Sequence, residues 1–347
     1  MAERRRDLSS LVSSVLAGSG FVPVWLATGA LLVVAQIIAP ETLSSDSLRS
    51  AVLPFMTFLA VAALGQMLVI MHAGIDLSTP GVMFLGGNLI AGVGAGSNDK
   101  LAVAILACLG VGALAGLVNG FFVGILKLNP LIVTLAVGQV VLAWGLKYSR
   151  EVASGENVPR ALSSWAADKP VGVSTVFWTG AALTIAVALA LRYTAAGRRF
   201  QAVGANPRAA WMAGVHVRTH VVFAYTAAGT LYALAAVLLA GVRISIDPGF
   251  GAAYLLAPIA AVVIAGASLS GGLASATSTW VAALALTLLT QMLRILGLST
   301  AMQFVVFGGA IIVGMLVSGD RVASLLGRVL RPPEAAARDR RGTEEKQ

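Results

Sequence analysis

The sequence predicts an all-α polytopic membrane protein with about ten transmembrane helices. Only 11% of the 347 residues are charged and 58% are hydrophobic, with a mean hydropathy of +0.87; a soluble domain carries about 25% charged residues. The apolar runs are long, rich in Leu, Val and Ala, and free of two-residue alternation, which favours helices over an outer-membrane barrel. In lipid those are the only two ways for a spanning chain to satisfy its backbone.

A span takes roughly 20 apolar residues. Runs that meet or approach this length cover 21–39, 51–71, 77–94, 101–126, 131–146, 171–191, 221–241, 255–267, 277–293 and 301–317. The run at 255–267 is short and predicts a broken or half-span helix. Arg4, Arg5 and Arg6 precede a Ser-rich stretch and a first run too long for a signal-peptide core, so the first helix is expected to stay uncleaved. The many later spans argue against reading the paired arginines as a twin-arginine export signal. The tail from Arg331 is polar and Pro-containing and is expected to be disordered. The expected organisation is a cytoplasmic segment at 1–20, a transmembrane domain at 21–318 and a cytoplasmic tail at 319–347.

With the amino terminus inside, sixteen of the 24 Lys and Arg residues fall on the inner side and eight on the outer. The positive-inside bias supports that orientation, with both termini in the cytoplasm of a bacterial inner membrane. It also accounts for the net charge of +9 through an anionic lipid leaflet, without nucleic acid.

Several chemistries are excluded. Cys108 is the single cysteine and lies in an apolar run, so it forms no internal disulfide and no zinc cluster. His72, His216 and His220 lack metal-ligand spacing. No metal site, no cofactor and no convincing nucleophile–base arrangement is expected, so the chain does not read as an enzyme. No lysine follows a glycine, so there is no phosphate-binding P-loop and no ATP hydrolysis by that route. The "LSGG" at 269–272 matches the start of an ABC ATPase signature but has no Walker sequence upstream. It is read as a tight turn with close helix packing.

The basic inner segment 194–219 contains a short helix. Asn206 is a good N-cap, Pro207 suits the first helical position, and Gly214 suits the left-handed end. A helix of about two turns is too short to stand alone. Its Trp211 and Met212 leave two readings open: a plug for a groove on another protein, or an interfacial helix lying on lipid.

Asp76 sits between two apolar runs in "MHAGIDLSTPGVMFLGGN" (71–88). Gly74 is expected to let the chain turn, with Thr79 capping the next helix and Pro80 at its first position. Asp76 then lies just before a helix N-terminus, where negative charge is favoured by about 0.3–1 kcal/mol. It either anchors the start of that helix or lines a polar cavity at the inner mouth of a pathway. Neutral polar groups in or near spans, suited to a neutral hydroxyl-rich solute, are Asn88, Asn119, Gln139, Trp144, Tyr225, Ser268, Gln291 and Gln303. Singly, each also suits an interhelical hydrogen bond. A faint echo between 124–142 and 294–313 points to an inverted repeat, although shared Gly, Val and Leu bias explains it equally well.

Four stretches resemble, in the same order, the membrane subunits of ribose- and xylose-type ABC sugar importers. They are "HAGIDLSTPGVM" (72–83), "GLVNGFFVGILKLNPLIVTLAVG" (116–138), "GRRFQAVGANPRAAWMAGVHV" (197–217) and "VVIAGASLSGGLASATSTW" (262–280). The resemblance runs from about residue 51 to 318. It implies a coupling helix that docks on a partner ATPase through Gly204, Asn206, Pro207, Arg208, Ala210, Met212 and Gly214. Together with the neutral polar groups above, it places the expected pathway at Asp76, Asn88, Asn119, Gln139, Ser268 and Gln291, the resemblance itself bearing on Asp76 and Asn119. It also implies a second permease, either a copy or a paralogue, and an extracytoplasmic sugar-binding protein. Departures from the family pattern are Thr79-Pro80-Gly81, Gln291-Met292, Leu273 and Phe307, and they bear on the substrate more than on the architecture. The expected function is the translocation subunit of an importer for a small sugar-like solute. A self-sufficient carrier or channel is the alternative.

Overall fold

A computed structural model describes residues 22–153, 157–243, 251, 254–299 and six positions between 301 and 309. The elements among them are all helical: α1 Val22–Ile38, α2 Leu53–Ile70, α3 Thr79–Gly94, α4 Leu101–Gly120, α5 Pro130–Glu151, α6 Arg160–Ala167, α7 Thr175–Tyr193, α8 Ala195–Ala205, α9 Pro207–Met212, α10 Val217–Val242, α11 Ala257–Ile264 and α12 Ala276–Ile295. Helical turns extend α2 back to Ser45 and lengthen α4 to span Asn98–Ile125.

Six helical stretches among the described residues are long and apolar enough to cross a membrane. The expected ten runs resolve as follows. The runs at 21–39 and 77–94 become the shorter apolar helices Pro23–Ile38 and Thr79–Gly94. The run at 255–267 becomes the eight-residue α11, the half-span helix expected from its length. Most of the tenth run, 301–317, lies outside the described residues, as do Gln303, Phe307, both terminal segments and part of the second arm of the internal echo.

The centre of the bundle is α2. It is apolar on every face, and sixteen of its eighteen residues are buried, the pattern of a helix surrounded by others. Its neighbours are α10, α12, α11 and α7. Between such helices the lipid provides no hydrophobic drive, so close packing must supply the attraction. The contact between α4 and α10 shows how. Gly112, Gly116 and Gly120 recur every fourth residue on α4 and face α10, so a Cβ on Gly112 would collide with the Gly229 carbonyl, and one on Gly116 with the Tyr225 carbonyl. The two backbones therefore touch. Cys108 is buried one turn away, with Sγ 3.4 Å from the Ala233 carbonyl, as a small core residue.

This crossing has a sharp consequence. Gly229→Leu should unseat α10 from α4, because overpacking costs about 1–3 kcal/mol or more, and should lower the melting temperature in detergent. Gly110, beside the stripe, has no neighbouring atom within 4 Å of where a methyl group would stand, so Gly110→Ala should be neutral or stabilising by up to about 1 kcal/mol.

Candidate functional site

Two neighbouring constructions hold the residues of interest. The first is the turn between α2 and α3. The chain leaves α2 at Met71 and reverses through Ala73, at φ 57. The left-handed residue is thus Ala73 and not Gly74. Gly74 serves close approach instead: a Cβ there would collide with the Tyr225 hydroxyl. The start of α3 is also shifted from expectation. Thr79 is the first helical residue and Pro80 the second, while Ser78 occupies the cap position without capping.

The Ser78 side chain is engaged elsewhere. Its backbone N–H donates to Asp76 Oδ1 at 2.8 Å, and its hydroxyl donates to the same oxygen. Asn119 of α4 donates through Nδ2 to Ser78 Oγ at 3.0 Å, and more weakly to Asp76 Oδ1 at 3.5 Å. Asp76 is 1% exposed and Asn119 wholly buried.

The turn's backbone is held from two sides. Leu77 N–H donates to Thr134 Oγ1 on α5 at 3.0 Å. Gln66 of α2, with its amide oriented to satisfy both ends, donates to the Asp76 carbonyl at 3.0 Å and accepts from the Asp76 N–H at 3.2 Å. The same Gln66 nitrogen reaches the Tyr232 hydroxyl on α10 at 3.0 Å. An amide side chain here does the work of a neighbouring strand, supplying one acceptor and one donor to a peptide that has no helix to belong to. Asp76 Oδ2, Asn119 Oδ1 and the Tyr225 hydroxyl are buried with no hydrogen-bond partner among the described residues.

The second construction is α8 with α9. Tyr193 ends α7, and the chain folds straight back. Thr194 caps α8 by accepting from Gly197 N–H at 2.9 Å. The terminal carbonyls of α7 are met by side chains: Thr194 Oγ1 on Ala190, Gln201 Nε2 on Leu191 and Arg198 on Tyr193. These are the acceptors every helix end leaves open. The buried face of α8 carries Gly197, Phe200, Val203 and Gly204. Phe200 packs edge-on to His72 at 4.2 Å between ring centroids. A Cβ on Gly204 would collide with the Met71 carbonyl. That carbonyl also accepts from Gly272 N–H at 3.0 Å. The "LSGG" stretch is thus a turn, with Gly271 and Gly272 at φ 91 and 112, seated on the end of α2.

Then comes α9. Asn206 Oδ1 accepts from Ala209 N–H at 3.0 Å and Pro207 opens the helix. At the far end Gly214 has φ 81, Gly214 N–H donates to Trp211 O at 2.9 Å, and Val215 N–H to Ala210 O at 3.0 Å. This is the two-bond Schellman closure. Only Ala210 is buried; Arg208 is exposed, and Trp211 and Met212 are each 70% exposed. The sequence places α9 correctly but misses α8, although Thr194 and the Gly197, Phe200, Gly204 spacing signal it.

The remaining expected residues do not join the Asp76 cluster. Asn88 is buried on α3 and donates to its own helix at Phe84 O, 2.8 Å. Gln139 and Ser268 are exposed on α5 and beyond α11. Gln291 reaches Ser47 Oγ at 3.5 Å. Gln66, Thr134 and Tyr232 are not singled out by the sequence alone. Gln66, the one amide in the otherwise largely apolar eighteen residues of α2, is the available signal. Among the described residues no three His, Cys, Asp or Glu side chains gather as a metal site.

Residues 48–316 match the family described as branched-chain amino acid transport system / permease component. The chain belongs to that family. Among its relatives, the ribose import permease protein RbsC of Escherichia coli (strain K12) is 29% identical over 84% of this chain and 91% of that protein. The fructose import permease protein FrcC of Rhizobium meliloti is 31% identical over 85% and 84%, and the galactofuranose transporter permease protein YtfT of Escherichia coli (strain K12) 32% over 77% and 78%. No solved structure matches. The resemblance to sugar ABC importer permeases therefore holds, and the chain is a multi-pass inner-membrane transport subunit, not an enzyme.

Two measurements probe the site. Gln66→Leu strands two backbone groups of Asp76, at about 1–3 kcal/mol each, and should lower thermal stability more than Gln66→Asn or any exposed substitution. Burial pushes His72 down to about 4, so its ring stays neutral and donates from Nδ1 to Leu68 O at 3.2 Å. Below about pH 6.5 the unfolded chain then binds a proton the folded one refuses. His72 therefore costs stability as pH falls from about 6.5 towards 4, by up to roughly 3 kcal/mol. A thermal-stability series from pH 7.5 to 4.5 should show a steeper acid loss in the unaltered protein than in His72→Phe, which keeps a ring against Phe200.

Proposed function

We propose that this chain forms the translocation pathway of an ABC importer for a small sugar or sugar-like solute of the ribose type, driven by a separate ATPase. The observation that carries this reading is α9. It is a short rod whose ends are both fixed by local hydrogen bonds, and it presents Trp211 and Met212 to solvent beside Arg208. Exposed aromatic and Met side chains next to Arg are what a partner's pocket takes as anchors. A lipid-lying helix of six residues would bury its apolar face too shallowly to need such closure at both ends. The names of the ribose, fructose and galactofuranose permeases support a neutral, hydroxyl-rich cargo.

In this reading α9 faces the cytoplasm, as do both termini, and about ten crossings are completed by α1, α3, α11 and the run at 301–317. The ATPase pushes α9, and α8 transmits the push through Gly204 to the Met71 carbonyl and so to the Asp76 turn. Asp76 and Asn119 act from behind the pathway by fixing that turn. Gln139 and Ser268, on surfaces the single chain leaves open, are the better lining candidates, with Asn88 and Gln291 in supporting positions. An extracytoplasmic binding protein delivers the solute and sets most of the specificity. A self-sufficient carrier or channel is the alternative, and uptake by this chain alone separates the two.

Reconstitution with the partner ATPase and binding protein tests the proposal. Arg208→Glu and Met212→Asp should abolish solute-stimulated ATP hydrolysis while the protein still inserts. Asn206→Ala, which removes a cap worth about 1 kcal/mol, should weaken coupling without abolishing it. Unchanged coupling in both charge variants, or uptake into vesicles holding this chain alone, would overturn the assignment.

A further inference from the structure

Most of α7 stays exposed in the single chain, and its outward face is ordered along the helix. Trp178 lies near the start, Ile185 and Leu189 follow, and Tyr193 ends the helix, all four exposed. Their spacing keeps them on one face of a helix with 3.6 residues per turn, and the positions between them on that face are Ala182 and Ala186. Aliphatic side chains bounded by an aromatic ring at each end are the pattern of a helix against lipid, with the rings at headgroup level. Charge gathers at the Tyr193 end. The Arg192 guanidinium lies over the Tyr193 ring, 5.4 Å from its centroid, and Arg198 Nη1 donates to the Tyr193 carbonyl at 3.1 Å. Arg199 follows and is exposed. No acid occurs between Asp168 and Asp247, so no neighbour along α7, α8, α9 or α10 offers these arginines a carboxylate.

We propose that Arg192, Arg198 and Arg199 bind the phosphodiester of an anionic phospholipid from the inner leaflet, its acyl chains lying along Ile185 and Leu189. The inference rests on the reading that puts the α9 end of the chain in the cytoplasm. Guanidinium groups suit phosphate oxygens, which accept two parallel N–H bonds, and Arg198 uses one of its five donors on Tyr193. A zwitterionic headgroup would bring a cation back into a corner that is already cationic. An acidic protein surface would meet the charges and leave the apolar face beneath them uncovered, whereas a lipid covers both. Such a lipid sits where α7 turns into α8, at the foot of the mount that carries α9, and so steadies that junction.

Native mass spectrometry of the purified chain, offered equal amounts of phosphatidylglycerol and phosphatidylcholine, tests this. The unaltered chain should retain phosphatidylglycerol in preference. Arg192→Gln with Arg199→Gln should cut that preference by about tenfold or more. Lys127→Gln with Arg218→Gln removes the same charge from exposed positions on the same side and should leave it unchanged. Leu189→Asn, on the apolar stripe, should lower retention, and inorganic phosphate should not displace the lipid. No preference in the unaltered chain, equal loss from the two charge pairs, or displacement by inorganic phosphate would each overturn the proposal. Sidedness is read separately. Cys108 is buried, so Arg192→Cys carries the one accessible thiol, and an impermeant maleimide added outside intact cells should leave it unlabelled. Labelling from outside would overturn the orientation and the inner-leaflet site with it, whereas lost lipid preference with the expected sidedness removes this site alone. Neither readout uses ATP or solute, so failure of coupling through α9 leaves the site standing.

Discussion

A stretch of non-helical chain buried inside a membrane bundle has to find all its hydrogen bonds within that bundle. The backbone around Asp76 in the turn from Met71 to Ser78 meets this constraint, and much of the architecture follows from how it does so. Gln66 supplies a donor and an acceptor to the Asp76 peptide, Thr134 receives the Leu77 N–H, and Asp76 itself receives Ser78. These partners come from α2, from α5 and from the turn's own side chain, with Asn119 of α4 closing the group. The helices must therefore arrive at fixed heights and rotations before the turn can be buried. The bare backbone contact between α4 and α10 at Gly112, Gly116 and Gly229 lets them come close enough.

The α8–α9 unit obeys the same accounting at the end of the bundle. Folding back directly after Tyr193 leaves the terminal carbonyls of α7 uncovered, and Thr194, Gln201 and Arg198 cover them. This anchors α8 across the end of α2 with Phe200 against His72. The exposed α9 is then carried on a rigid mount. A six-residue helix could not hold its shape by propagation alone, and here the Asn206 cap and the Gly214 closure do so. A surface so prepared loses little freedom on meeting a partner, which favours binding.

What the sequence disclosed follows from how local each signal is. The α9 helix was legible in full, because cap, proline and glycine act within ten residues. The half-span α11 was legible from its length. Asp76 stood out as an acid among apolar runs, and its place before α3 was read correctly. Its partners are not legible, because Gln66 and Asn119 are brought to it by packing that no short window records. Local rules also misplaced details there. Gly74 suits a turn, but the left-handed residue there is Ala73, and Thr79 suits a cap but is the first residue of α3. Of the expected polar residues only Asn119 joins the hydrogen-bonded group around Asp76, since side-chain type alone does not specify which face of a helix it occupies.

The seat of α8 on α2 is built from main-chain atoms: the Met71 carbonyl, the Gly272 N–H and the bare Cα of Gly204. Such a seat is indifferent to drift in the side chains around it, and its shape can persist while the surrounding residues are exchanged over generations. It is unforgiving of length. One residue inserted between Thr194 and Gly204 would rotate the rest of α8 by about 100°, swinging arginines towards the place of Phe200. In this stretch the count of residues constrains the fold as firmly as the glycine at 204.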